Sequence, residues 1–334
     1  MFVRKLAEGF LLTVVTLSTV AAAPKKAVIG KDSPKGSEAV VLWRDPGDIS
    51  SRNLYYGPGG KNHEPRGPFT FLKEDLDGTN PKFSVHDSNG VKWKVKMGGE
   101  VRPETAASRI VWAIGYFANE DYYLPVAEFE KLPSRLHRGQ KFVENGNTIR
   151  DIRLKREDEK KLGIWEWKNA PFANTREWNG LRVVMALINN WDLKDVNNAI
   201  YLKGSEQIYE VSDLGASFGS ASRTWPKDRS KGDLNSYRKS RFMTHTNSST
   251  VSFRDPGRPS FVYFVNPKEY FQRMHLEWIG KNIPREDARW VGELLARLSP
   301  QQIRDAFRAA GYSPSDVEGF AAILETRIHA LTDL

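Results

Sequence analysis

Apolar and polar positions alternate from Phe69 to Met97, where "FTFLKED", "KFSVHD" and "VKWKVKM" are separated by the turn-like "LDGTNP" and "SNG". This period-2 rhythm with turn residues between predicts a compact antiparallel run of strands. The period then changes. Pro103 and Glu104 suit a first helical turn, Ala107, Ile110, Val111 and Ile114 make one apolar face, and Gly115 ends it. Strands followed by a single helix predict a small lobe of the α+β kind.

Charge interrupts the pattern from 127 to 160, which reads as an insertion on or beside that lobe, with a strand at "TIRDIRLKRED". A short apolar strand, "GIWEW", follows. The helix "TREWNGLRVVMALINN" places Trp178, Leu181, Val184, Met185 and Ile188 at helical spacing, and "AIYL" with "QIYEV" predicts a hairpin. From Tyr270 to Leu334 the chain reads as helices broken at "NIPRED", "LSPQQ" and "GYSPSD", with Ser299-Pro300 and Ser313-Pro314 as cap and first-turn pairs. The expectation is an α+β chain of two lobes: a loop-rich segment at 24–66, a sheet lobe at 67–168, and a larger, mostly helical lobe at 169–334.

The first 23 residues have another character. Arg4 and Lys5 precede the apolar run Phe10 to Val20 and then Ala21-Ala22-Ala23, the layout of a cleaved secretory signal. The run is too short for a membrane span, and the expectation is an exported, periplasmic or secreted protein without a span in the mature chain. The 334 residues contain no cysteine, which excludes disulfides, thiolate chemistry and cysteine-bound metal clusters. A formal charge of +9 favours anionic partners. "GPGGKN" lacks the hydroxyl residue of a Walker loop, no His-x-x-x-His pair supports a zinc hydrolase, and no Gly-x-Ser-x-Gly elbow occurs. Trp165 and Trp167 read as core or cleft wall.

Five polar positions carry the candidate chemistry. Asp192 is followed five residues later by Asn197, and Asp213 opens "DLG" after the predicted hairpin. Phosphoryl transfer needs a carboxylate beside the acceptor hydroxyl and oxygen ligands that hold magnesium against the phosphates. Asp192 or Asn197 taken alone reads more readily as a turn cap. Upstream, Lys96 near the end of "VKWKVKM" and Glu104 in the next helix stand in the order of a phosphate-binding lysine and its glutamate partner. Lys92, Lys94 and Lys96 share one strand face, so a solvated stripe is the plain alternative and Lys94 a rival to Lys96. Lys194 is placed to neutralise charge on a transferred phosphate.

The stretch "DGTNPKFSVHDSNGVKWKVKMGGEVRPETAASRIVWAIGY", with "ALINNWDLKDVNNAIY" and "VSDLGASFG", resembles the HipA-like branch of the atypical protein and lipid kinases. The motifs span residues 75 to 219. The resemblance implies a two-lobed protein-kinase-like fold that binds ATP and Mg2+ or Mn2+ between its lobes. It implies a phosphate loop represented by Gly78, Thr79, Asn80 and Lys82, with Lys96 on the ATP phosphates and Glu104 paired to it. Asp192 would be the base, Lys194 its neighbour, and Asn197 and Asp213 the metal ligands. Lys194 stands where the branch often has histidine, and Asp75 where some members carry a self-phosphorylated serine. The expected function is transfer of the ATP γ-phosphate to a hydroxyl acceptor. A kinase-shaped scaffold without turnover and a nucleotidyl transferase are the alternatives. No nucleic-acid partner is expected, and the basic stretch 223–241 is either a solvated loop or a recruiter of an anionic acceptor.

Overall fold

The structure, a computed structural model, describes residues 39–219, 231–254 and 262–334. The expected signal at 1–23, residues 24–38 and positions 223–230 of the basic stretch lie outside them.

After a short strand β1 (Ala39–Val41), the chain to Pro68 is an ordered loop tied to the larger lobe, with Ile49 and Leu54 buried in its core. The antiparallel run follows as β2 (Phe69–Asp75), β3 (Lys82–His86) and β4 (Lys92–Met97). Asp87 sets the second turn: Oδ1 accepts from the Asn89 and Val91 amides, and Oδ2 from Trp93 Nε1. Helix α1 (Val101–Ala113) comes next, then β5 (Asp121–Glu130), β6 (Val143–Glu144) and β7 (Thr148–Arg156). The sheet order is β4-β3-β2-β5-β7-β6, and β4 also pairs with β7, so β2, β3, β4, β7 and β5 close into a small barrel. Phe83, Val85, Trp93, Val95, Met97, Ile152 and Leu154 fill it. The alternate residues of β3, β4 and β7 face outward.

Two expectations are corrected here. Residues 127–160 are not an insertion beside the lobe, because β7 pairs with β4, β5 and β6 and closes the barrel. Its alternation slips phase at Asp151, a left-handed residue (φ 50°), so the buried positions run Ile149, Ile152, Leu154. "GIWEW" is not a strand. The strand is β8 (Lys160–Gly163), just upstream.

The larger lobe opens with α2 (Arg176–Leu187), capped by Thr175, whose side chain accepts from the Trp178 amide. Its apolar face, Trp178 through Ile188, is buried as its spacing predicts. The hairpin β9 (Asn198–Lys203) and β10 (Glu206–Val211) is the middle of a β1-β10-β9-β8 sheet. A short α3 (Leu234–Lys239) leads to β11 (Met243–Thr246) and β12 (Thr250–Phe253), then to α4 (Val262–Val265) and α5 (Pro267–Met274). Strand β13 (Ile283–Pro284) precedes α6 (Arg285–Ala296), α7 (Pro300–Ala309) and α8 (Pro314–Thr332). Ser299 and Ser313 cap the last two as expected, Ser299 in a reciprocal capping box with Gln302. Gln302 Nε2 also donates to the Ile49 and Arg52 carbonyls, fastening the entry loop. Among the described residues no helix is long and apolar enough to cross a membrane.

Candidate active site

Only Gly98, Gly99 and Glu100 separate β4 from α1, so the lysine near the end of the strand meets the first carboxylates of the helix. Lys96 Nζ lies 2.8 Å from Glu104 Oε2 and 2.6 Å from Glu100 Oε2. Arg153, register partner of Lys96 on β7, holds the other Glu104 oxygen at 2.6 Å. All four residues are buried. Burial alone would depress the Lys96 ammonium, but Asp213, Glu104 and Glu100 outweigh it and hold Lys96 above its ordinary value. For Glu104, burial is likewise outweighed, by Arg153 and Lys96, and its pKa is lowered.

Asp213 completes the group, with Oδ1 3.4 Å from Lys96 Nζ and accepting from the Gly215 amide at 3.2 Å. The cleft walls crowd its carboxyl while 41% of the side chain stays open to the cleft. That crowding raises its pKa, with Lys96 opposing and Glu104 and Glu100 adding to the rise. A Cβ on Gly215 would lie 2.6 Å from Glu100 Cβ, so this turn can rest against α1 only with glycine there.

The loop 190–197 runs beside this turn. Asn197 O accepts from the Ser212 and Asp213 amides at 2.8 and 3.2 Å, and the Trp191 amide donates to Ala216 O. Within the loop, Asn197 Nδ2 donates to Asp192 O at 2.7 Å, and Asn190 Oδ1 accepts from the Asp192 amide. The Asp192 carboxylate faces Lys194 Nζ at 3.1 Å. Asp195 does a different job: its Oδ1 accepts from the Trp167 amide and anchors the chain entering the lobe.

A cleft of about 470 Å³ opens beneath the outward face of β3, β4 and β7. Eight Lys and Arg and five Asp and Glu side chains line it, with Tyr201 and Ser212 as the remaining two. Lys96, Glu104, Lys82 and Asp213 of the expected site stand in that lining. Asp192, Lys194 and Asn197 are not in it but on the loop bonded to its floor. Gly78 and Thr79 sit exposed at the β2–β3 tip, where Gly78 takes φ 71° and Thr79 O accepts from Arg138. Asn80 is buried against Gly98. Of the two rival lysines, Lys96 meets Glu104, while Lys94 bonds Asp75 at 2.9 Å and Glu157 at 3.1 Å.

A strand lysine, a helix glutamate and the aspartate of an Asp-Leu-Gly turn therefore converge between a sheet lobe and a helical lobe. The fold is α+β with two lobes, a barrel-like sheet lobe and a mostly helical lobe. No protein-family model and no curated protein matches the chain. Among solved structures, a Helicobacter pylori proinflammatory kinase, CtkA, aligns at 12% identity and TM-score 0.43, over 80% of this chain and 98% of that one. The Golgi casein kinase aligns at 12% identity and TM-score 0.31, over 80% and 75%, and a further structure of it, with Mn/ADP bound, at 0.28 over the same shares. These likenesses are loose, and the chemistry of the site stands on its own geometry.

Two members of the cluster were not among the expected residues. Glu100 stands four residues after Lys96, a spacing visible in the sequence, and also bonds Lys231 at 2.5 Å. Arg153 had no local signal, because it joins the site only through the β4–β7 pairing. Trp165 and Trp167, read from the sequence as core or cleft wall, do not line the cleft. Trp165 and Trp167 pack edge-to-face with each other in the core of the larger lobe.

Proposed function

We propose that this chain is a metal-dependent phosphotransferase that moves the terminal phosphate of a phosphoanhydride donor, ATP by the sequence expectation, to a hydroxyl acceptor. The observation that carries the proposal is the convergence of Lys96, Glu104 and Asp213 in one cleft, with the Asp192–Asn197 loop bonded to its floor.

In this reading Lys96, held by Glu104, neutralises donor phosphates, and Lys82 opposite it on β3 adds a second cation. The residues fit a hard divalent cation. Asp213 offers a carboxylate open to the cleft, and Asn197 commits its amide nitrogen to Asp192 O, so its oxygen is the atom left for a metal. A bound Mg2+ or Mn2+ would supply charge neutralisation at the donor phosphates. Asp192 accepts the acceptor's hydroxyl proton, and Lys194, whose Nζ lies 3.1 Å from that carboxylate, is placed to neutralise charge on the transferred phosphate. The signal-like first 23 residues support export, and the excess of basic residues supports an anionic acceptor.

Calorimetry of the wild-type chain with ATP and Mg2+ tests the metal roles. Binding that depends on Mg2+ and is weakened at least about tenfold, or 1.4 kcal/mol, in Asp213→Ala is expected. Equal metal-dependent binding in both proteins would remove Asp213 from the site.

A further inference from the structure

The register of the barrel sets its outward side chains in two ranks across the roof of the cleft. Lys82, Lys96 and Arg153 are successive cross-strand partners on β3, β4 and β7, and Ser84, Lys94 and Lys155 form the next rank. Like charges directly opposite each other destabilise a sheet. Their acids, Asp75, Glu157 and Glu104, offset the repulsion without balancing the lining, in which cations outnumber carboxylates. Such a face suits a ligand that is anionic along its length.

A purine needs something else: a flat slot with apolar or aromatic walls. Among the described residues, no aliphatic side chain lines the cleft. The single ring among the described lining residues is Tyr201, whose Oη accepts from Lys155 Nζ at 2.9 Å; that ammonium lies 5.1 Å from the ring centre and also bonds Ser212 Oγ at 3.1 Å. The rings that could have walled a base slot, Trp165 and Trp167, are buried elsewhere. The residues fit the phosphates of a nucleotide and not its base.

We infer that the donor site takes a condensed phosphate chain without a nucleobase, inorganic polyphosphate in the simplest case. This inference rests on the phosphotransferase reading and specifies its donor. The reaction balances without a nucleoside: the acceptor oxygen forms a bond to the terminal phosphorus and the anhydride P–O bond breaks. The shortened phosphate chain leaves with the electron pair, and the acceptor proton passes to Asp192. Lys94 and Lys155 hold the inner phosphates where a nucleotide would carry its sugar and base.

Competition binding with Mg2+ present and tripolyphosphate, ATP and adenosine as probes tests it on the wild-type chain. The expected result is a tripolyphosphate Kd no weaker than that of ATP, with no displacement of either by adenosine. Lys94→Ala should weaken tripolyphosphate about tenfold. ATP binding at least about tenfold tighter than tripolyphosphate, or displacement by adenosine, would overturn the donor inference while leaving the phosphotransferase reading in place. An unchanged tripolyphosphate Kd in folded Lys94→Ala would remove the second rank from the site. Binding of none of the probes would overturn both.

Discussion

Lys96 carries one charge into a group of three carboxylates, and its neighbours are placed so that none of the buried ions stands alone. Glu104 is held from both sides by Lys96 and Arg153, and Glu100 by Lys96 and Lys231. Removing one partner of such a pair leaves an uncompensated charge, so Lys96→Ala should cost about 3–5 kcal/mol of unfolding free energy in a denaturant titration. A loss below about 1 kcal/mol is the behaviour of a surface lysine and would contradict the buried network. Much of this was legible in the sequence. Asp192 and Asn197 are separated by the spacing that lets the asparagine amide reach back to the Asp192 carbonyl, and Lys96 and Glu104 by the short turn between strand and helix. Arg153 was not legible, because only pairing of β7 with β4 brings it near.

At the scale of elements, β3, β4 and α1 follow their periodicity closely because each has an uninterrupted pattern and turn residues at its ends, whereas β2 shifts register between Phe71 and Lys73 and leaves Leu72 exposed. Strand β5 and the central position of β7 are masked, β5 by Pro125 in mid-run and β7 by the phase slip at Asp151. The packing of α1 against β5 has its own signature. Buried Asp121 accepts from Arg109 at 3.0 Å and from Ser108 at 2.9 Å, and burial, only partly offset by Arg109, raises its pKa to about 6. A folded carboxyl above its unfolded value near 3.8 binds its proton more tightly in the native state, so this group's contribution to stability falls as pH rises between those values. The loss across that window is about 3 kcal/mol. Unfolding of the wild type against Asp121→Asn at pH 4 and pH 7 checks this: the wild type should lose stability relative to the variant as pH rises, and parallel curves would contradict it. Gly215→Ala tests the contact between α1 and the Asp-Leu-Gly turn. Its new Cβ collides with Glu100, so Mg2+-dependent binding of the donor should weaken several-fold with secondary structure unchanged.

For the whole molecule, the order of five polar positions along the chain was enough to expect a cleft between two lobes, since each position sits at or near a boundary between elements. The character of that cleft was not, because which side chains share a rank depends on strand register. The three lysines of β4, for which a solvated stripe was the plain alternative, share the roof of the cleft with Lys82, Arg153 and Lys155. The tryptophans, read as core or cleft wall, are core. The central claim is that this cleft transfers phosphate through Asp192. The most direct test incubates wild type and Asp192→Ala with Mg2+, a hydroxyl-bearing acceptor extract and a donor labelled at its terminal phosphate, either ATP or tripolyphosphate, with mass spectrometry of the modified product. The account predicts label transfer as a single gained phosphate by the wild type, and its loss in Asp192→Ala with donor-dependent thermal stabilisation retained. Equal transfer by both proteins, or a product carrying a nucleotide, would contradict it.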